Sequence, residues 1–447
     1  MTNQDSQSDW ADLYVRHLAA WDERLAGALT AARLDSVIVF SGAEKTRFRD
    51  DLTYPYAVEP YFNAWVPETD QPGSALRLTP GERPLLISLS EEGFWHEPPR
   101  EPAAYWVEHF DIRQAASPAA VMKELGAVGS RVTAIGEPGE HTAGFSTLND
   151  ETLLDHLDYF RAYKTPYEIR CIERANEIAA VGHLAAQRAL GDGVSEFDLH
   201  HAYCTASGQT EADLPYPNIV ALNEHASILH YQNLRREAPG ETRSFLLDAG
   251  AQSHGYASDI TRTCARGDPR FQSLIDSMEI MQQALCDEAL DGTDFAELND
   301  RAHRLLAGVL KQHDLVRCSD EEAYAGGITR TFLPHGLGHL LGLQVHDAGG
   351  RLASPEGARR KPPGEHPMLR LTRVLATGFV ITIEPGIYFI PSLLDRMKRT
   401  ALGRSVNWDN IAALLPRGGI RIEDNVLVTD TAARNLSRPA FLSAAES

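Results

Sequence analysis

Cysteine is scarce: five in 447 residues, scattered, odd in number and forming no Cys-x-x-Cys. That leaves no sign of a disulfide framework or a thiolate zinc site. Cys171, Cys204, Cys264, Cys286 and Cys318 read as reduced, mostly buried thiols, with Cys264 a strand-packing residue. Long apolar runs are missing too, and nothing approaches the ~18 residues that a membrane-spanning helix needs. Met1 to Asp12 is polar and acidic, without the basic start and apolar stretch of a signal peptide. These absences point to the cytoplasm, where the Asn435-Leu436-Ser437 sequon carries no information. Basic charge is short: 42 Lys and Arg against 62 Asp and Glu give a formal net charge of −20. Phosphate binding needs a basic face, so nucleic acid is excluded as a partner. There is no His-Glu-x-x-His, no Gly-x-Ser-x-Gly and no Gly-x-x-x-x-Gly-Lys-Ser/Thr.

What is present is an ordinary globular mixture, 43% hydrophobic and 23% charged. Single cores rarely grow past about 250–300 residues, so two domains are expected. The first third alternates helix and strand. Leu13 to Ala32 has helical apolar spacing, and Leu34 to Phe40, Pro84 to Leu89 and Arg131 to Gly136 are short β-rich runs. A helix over Ala119 to Leu125 lies between two of them. This alternation predicts a mixed α/β domain. In Thr165-Pro166-Tyr167-Glu168, Thr165 can cap a helix, Pro166 suits its first turn and Glu168 sits three residues past the cap. The break is expected near residue 162, giving domains 1–162 and 163–447. The second domain reads as two halves, each a helix-rich stretch followed by strands. Arg351 to Pro367, rich in Pro, Gly and charge, reads as an exposed loop.

The chemistry lies in an ordered set of acids and one imidazole. Asp248 ends the apolar run Phe245-Leu246-Leu247, and Asp259 follows eleven positions later, before Ile260-Thr261-Arg262-Thr263. Gly250 and Gly255 between them allow a hairpin that brings both carboxylates to one point. Taken alone, each is a common turn residue. His335, His339 and His346 crowd a Gly-rich segment, where Gly336 and Gly338 permit close approach to a small site. Glu384 follows the β-branched run Val380 to Ile383 and precedes Pro385, so a buried Glu in need of a partner is expected. Glu423 falls in Gly419 to Val426, read as one strand in which Arg421 and Glu423 share a face. Asp424 points the other way and is no ligand. Four carboxylates and one imidazole suit two divalent cations, and O and N donors without thiolate favour Mn²⁺ or Co²⁺, with Zn²⁺ allowed.

The order Asp, Asp, His, Glu, Glu in these contexts resembles the pita-bread metallopeptidases, the family holding prolidase, aminopeptidase P and methionine aminopeptidase. The likeness covers essentially the whole second domain, without departure at the matching positions. Arg49-Asp50-Asp51 and Asn63-Ala64-Trp65 also resemble the bacterial prolidase group. The resemblance implies an α/β (α+β) chain, with an N-terminal prolidase-like domain before a pita-bread catalytic domain. It implies Asp248, Asp259, His339, Glu384 and Glu423 as metal ligands, with Asp259 and Glu423 bridging. It gives His230 and His335 to the substrate side, His346 to the oxyanion and Tyr216 to the pocket. Glu384 would shuttle the proton, and Arg421 with His335 or His230 would bind a proline carboxylate. The implied reaction is hydrolysis of dipeptides ending in proline, with side activity on organophosphorus esters. The alternatives are an aminopeptidase P acting on longer peptides, or a binding module without turnover. It further implies a homodimer whose N-terminal loop, through Asp51, reaches the partner's active site to attract the substrate's ammonium.

Overall fold

The structure is a computed structural model that describes residues 3–90, 104–126 and 129–446. It divides into two compact units. One comprises Met1–Cys171 with Ser253–Tyr256 and Leu352–Arg359; the other comprises Ile172–Gln252, Ala257–Arg351 and Arg360–Ser447.

The first unit opens with α1 (Asn3–Ala32), ten residues longer than its apolar spacing predicts. The added turns are polar, so periodicity could not reveal them. Tyr14, Trp21, Leu25 and Leu29 bury the inner stripe of α1. A five-stranded sheet follows: β1 (Ser36–Phe40), β2 (Ala75–Leu78), β3 (Leu85–Leu89), β4 (Asp111–Ala115) and β5 (Val132–Ile135), in spatial order β4-β3-β2-β1-β5. β1 pairs antiparallel with β2 and parallel with β5, and β3 pairs parallel with β4, so the sheet is mixed. Between and after the strands come α2 (Pro60–Trp65), α3 (Ala104–Val107), α4 (Pro118–Leu125) and α5 (Glu151–Arg161). Ser117 caps α4 by accepting from the Ala120 N–H, and Pro118 fills its first turn. Val121 and Leu125 then pack on Ile38, Ile87 and Ala134 of the sheet. After β1, a narrow loop is closed by the Tyr54 N–H donating to the Lys45 carbonyl at 2.8 Å. Asp51 lies exposed on it, and Phe48 at its tip is 92% exposed. The segment from Leu352 is not wholly loose: Leu352 is buried, and Arg359 pairs with Asp155 of α5 at 2.7 Å.

α6 (Pro166–Ala189) starts as the sequence predicts. Thr165 and Glu168 exchange side-chain-to-backbone hydrogen bonds of 3.3 and 2.7 Å, a capping box. The chain continues with α7 (Glu196–Ser207), β6 (Ile219–Leu222), β7 (Ser244–Asp248), β8 (Gln252–Ser253), β9 (Tyr256–Ala257) and β10 (Thr261–Ala265). β10, β7 and β6 form one antiparallel sheet in that order, with Thr261 opposite Asp248. Its core joins Val220, Phe245 and Leu247 to Leu199 and Tyr203 of α7. Helices α8 (Pro269–Asp287), α9 (Phe295–Gln312), α10 (Asp320–Ala325) and α11 (Ile328–Phe332) precede the second strand group. That group is β11 (Val380–Ile383), β12 (Gly386–Tyr388), β13 (Gly419–Arg421), β14 (Asp424–Leu427) and β15 (Arg434–Asn435). Helices α12 (Pro391–Lys398) and α13 (Trp408–Leu414) interrupt it, and α14 (Ser437–Glu446) closes the chain. β13 pairs with β12, whereas β14 pairs with β11 and β15. The continuous strand expected over Gly419 to Val426 is therefore broken at Ile422-Glu423, where the chain passes from one sheet to the other. No helix among the described residues is long and apolar enough to cross a membrane.

Candidate metal centre

Asp248 and Asp259 meet because β7 and β10 pair up to their ends. Beyond the pair Thr261–Asp248, the Ala249 N–H still donates to the Ile260 carbonyl at 3.0 Å. The connection turns at His254-Gly255, both with positive φ. Gly250 is required by space: a Cβ there would stand 2.0 Å from the Ser258 carbonyl oxygen and 2.9 Å from the Tyr216 ring. Tyr216 spans the two aspartates, its hydroxyl 2.8 Å from Asp248 Oδ1 and 2.6 Å from Asp259 Oδ1.

The histidine arrives on a segment laid along β11. Thr382 N–H donates to the His339 carbonyl at 2.9 Å, and Glu384 N–H to the Leu337 carbonyl at 2.9 Å. Gly338 permits this contact, because a Cβ would stand 2.0 Å from the Thr382 carbonyl oxygen. The His339 Nδ1–H donates to the Leu340 carbonyl at 2.9 Å. A carbonyl can only accept, so neutral His339 keeps its lone pair on Nε2. That atom lies 3.4 Å from Asp259 Oδ2 and 3.5 Å from Glu384 Oε1. Ligand atoms of Asp259, His339 and Glu423 lie within 4.8 Å of one another. The Thr261 hydroxyl donates to Glu423 Oε2 at 2.7 Å. The five residues expected as ligands thus come together in the second unit.

The electrostatics fit cations. Burial holds Asp248 above the usual carboxylate range, against the pull of Arg421 and with the push of Asp259. Burial raises Glu384 to about 7, and burial with the charges of Asp259, Glu384 and Asp248 raises Glu423 well above its ordinary value. Against burial, the hydrogen bond to Asp259 and the charge of Glu384 hold His339 above its ordinary value. Such a cluster of acids, around an imidazole nitrogen that becomes an electron-pair donor on deprotonation, has the donor set of a divalent metal centre. Asp424 faces elsewhere: fully buried, it is paired with Arg262 at 2.6 Å and Arg438 at 2.7 Å.

The remaining expected residues divide into two groups. Arg421, 4% exposed, is already engaged: Nη2 donates to Asp248 Oδ2 at 2.6 Å, Nη1 to the Tyr388 hydroxyl at 3.1 Å and Nε to the Thr261 hydroxyl at 3.1 Å. His335 donates from Nδ1 to the Gly336 carbonyl at 2.8 Å, so its Nε2, 2.8 Å from the Tyr388 hydroxyl, accepts. Burial first, then the charge of Arg421, pushes His335 down to about 4. His230 and His346 are exposed, the latter with its ring edge-to-face on His339 at 4.4 Å. Asp51 lies in the other unit.

Sequence reasoning missed four residues here. Tyr388 and Thr261 organise Arg421; Thr261 lies in the run after Asp259 and Tyr388 in no motif, and the sequence gives neither a role. Arg370 is exposed on the chain before β11, and its charge, after burial and the charge of His339, helps push His346 down to about 4. Glu196, at the start of α7 and 2% exposed, accepts from the Leu222 and Arg235 N–H groups at 3.0 Å each. It also accepts from Tyr231 and His225 at 2.6 Å each, so one carboxylate gathers the loop that carries His230. Only a lone pattern-free Glu marks this in the sequence.

Comparison with known proteins agrees with this geometry. The family described as Xaa-Pro dipeptidase, N-terminal domain, matches residues 12–159. The Xaa-Pro dipeptidase of Xanthomonas euvesicatoria is 46% identical over 440 residues, covering 98% of this chain and 100% of that protein. That of Stenotrophomonas maltophilia is 46% identical over 439 residues, covering 98% and 99%. Among solved structures, proline aminopeptidase P II from Yersinia pestis has a TM-score of 0.72 at 23% identity, covering 94% of this chain and 96% of that one. Aminopeptidase P from E. coli with the inhibitor Pro-Leu has a TM-score of 0.72 at 22% identity, covering 95% and 98%. The metallopeptidase family M24 matches residues 170–430, the stretch that holds every carboxylate and histidine of the centre, and the chain belongs to that family.

Proposed function

We propose that this chain is a dimetal Xaa-Pro dipeptidase that releases proline from the C-terminus of dipeptides. The observation that carries the reading is the gathering of Asp259, Glu384 and Glu423 around His339, with Asp248 joined to Asp259 through the Tyr216 hydroxyl. The near full-length relatives named Xaa-Pro dipeptidase supply the substrate class. Asp248, Asp259, His339, Glu384 and Glu423 would hold two divalent cations. Their O and N donors favour Mn²⁺, with Co²⁺ or Zn²⁺ also accommodated. Bound there, the cations would lower the pKa of water and polarise a carbonyl oxygen.

The chain's own residues do the rest. Glu384 carries the proton from the attacking water to the leaving prolyl nitrogen. His346 donates a hydrogen bond to the oxygen that becomes negative. Tyr216 holds the two aspartates at one spacing. Arg421 fixes Asp248, and His335 completes the chain through Tyr388 that orients Arg421. With Arg421 so engaged, the proline carboxylate is taken by the exposed cation Arg370 together with His230. Arg421→Ala is then expected to lower kcat/KM roughly 10- to 150-fold, the worth of a charge-assisted hydrogen bond, alike for free and amidated dipeptides. Arg370→Ala should lower it roughly tenfold for free dipeptides and leave amides nearly unchanged. Steady-state rates on Ala-Pro and its amide check both, and the reverse pattern returns the carboxylate to Arg421.

Two solved structures similar to this fold are aminopeptidases P, so action on longer peptides is the second reading. Rates on Ala-Pro and Ala-Pro-Ala decide: a dipeptidase turns over the first and spares the second. Side activity on organophosphorus esters follows from the same chemistry, since hydroxide attacks phosphorus as it does carbon, and a phosphotriester assay tests it. The free, scattered cysteines support a reducing, cytoplasmic setting.

The exposed loop carrying Asp51 and Phe48 supports a homodimer, in which the N-terminal domain serves dimerisation and Asp51 draws the substrate ammonium in the partner's site. The mass in solution should be near twice the chain's 49.2 kDa. Asp51→Asn should raise KM several-fold at saturating metal. A fully active monomer, or an unchanged KM, removes the shared site and leaves the metal chemistry standing.

A further inference from the structure

We infer that Asn425 is a positioning residue for Asp259 and thereby sets the affinity of one side of the centre for its cation. The inference rests on the reading that Asp259 is a ligand. Asp259 lies two residues ahead of β10, beyond the last paired residue of the β7 ladder. On its other side, the Glu423 N–H donates to the Thr261 carbonyl at 3.1 Å, an isolated bridge. Two residues further, at Asp259 and Asn425, no backbone pair continues it. The Asn425 side chain does so instead. Its Nδ2 donates to the Asp259 carbonyl at 2.6 Å, and its Oδ1 accepts the Asp259 N–H at 3.1 Å. One primary amide thus makes both hydrogen bonds that a neighbouring peptide would make.

Asn425 can do this because it is itself held rigidly. It is fully buried in β14, opposite Thr382 of β11. Its N–H donates to the Ser437 hydroxyl at 2.9 Å, which donates to Asn176 Oδ1 at 2.7 Å. Asn176 Nδ2 donates to the Ile172 carbonyl at 2.9 Å. The ligand's backbone is therefore tied through Ser437 at the start of α14 to α6. An aspartate side chain has a single methylene, so the pose of its peptide decides where both carboxylate oxygens stand. Asp259 Oδ1 is held by the Tyr216 hydroxyl and Oδ2 stands 3.4 Å from His339 Nε2, so the peptide clamp decides which oxygen faces a cation on the His339 side.

The test compares the full-length chain with Asn425→Ala and Ser437→Ala. Each is stripped by chelation and titrated with Mn²⁺ by calorimetry, and low-temperature EPR reports coupling between two Mn²⁺ ions. Groups that orient ligands are typically worth 10–100-fold in metal affinity. Asn425→Ala is expected to lose on the order of that factor at one site, with uncoupled Mn²⁺ signals at sub-stoichiometric metal, beside the modest fall in metal-free melting temperature that two lost buried hydrogen bonds bring. Ser437→Ala should show a smaller loss of the same kind, and it carries the test if Asn425→Ala does not fold. Binding within threefold of the parent overturns the inference. So does an equal loss at both sites, which would mark a purely structural role. A parent chain that takes up no Mn²⁺ overturns the metal reading itself, a result distinct from the other two.

Discussion

Chelation is expected to abolish hydrolysis of Ala-Pro, and Mn²⁺ or Co²⁺ to restore it. Without cations, Asp248, Asp259, Glu384 and Glu423 confront one another in a space they share with His339 and, at Glu384, with His335. Arg421 directly neutralises only Asp248 among them. Water cannot reach the inner acids freely, since Asp248, Asp259 and Glu423 are buried. Like charges at such distances leave protons on the site and no activated nucleophile. Metal also binds the folded chain and not the unfolded one, so it stabilises by mass action. At a hundredfold excess over its dissociation constant the gain is about 2.7 kcal/mol. Reconstitution should therefore raise the melting temperature along with the rate, a readout independent of substrate. Full activity in a preparation shown by elemental analysis to be metal-free would end the dimetal reading.

How much of this was legible depended on the range of the interactions involved. The hairpin carrying Asp248 and Asp259 was readable because its determinants are local: an apolar run, two glycines and a second β-branched run. The α6 capping box was readable for the same reason. β2 and β4 were not. β2 is four residues long, and β4, Asp111-Ile112-Arg113-Gln114-Ala115, is a largely exposed edge strand without an apolar face. The break at Ile422-Glu423 was hidden because alternation along a chain says nothing about which sheet each half joins. Arg421 was placed on the correct face, yet its partners Asp248, Thr261 and Tyr388 lie 173, 160 and 33 residues away. No local pattern could show that its donors were already engaged. The same holds for Glu196 and Asn425, single polar residues whose roles are set by the backbone groups that folding brings to them.

Glu384→Gln is expected to lower kcat by roughly 10²–10⁴-fold, the usual worth of general acid–base catalysis, with little change in KM. The structure separates Glu384 from the other acids. Its side chain is 17% exposed, whereas those of Asp248 and Asp259 are 11% and 8% exposed, and Glu423 is 2% exposed as a whole residue. It is thus the acid best able to meet both water and a substrate nitrogen. Its backbone is fixed by the Leu337 carbonyl and by Pro385, so the carboxylate moves by side-chain torsion alone. Glutamine keeps the length and one oxygen, so the amide can still face His339. It cannot take up and release a proton near neutral pH. Loss of one anionic donor could also empty the site, so metal content must be measured on the same sample at saturating Mn²⁺. With metal retained, a fall in kcat of less than tenfold would move the proton shuttle to another group. A solvent isotope effect on kcat that persists or grows in the variant would support the assignment, because the slowed proton transfer then limits the rate.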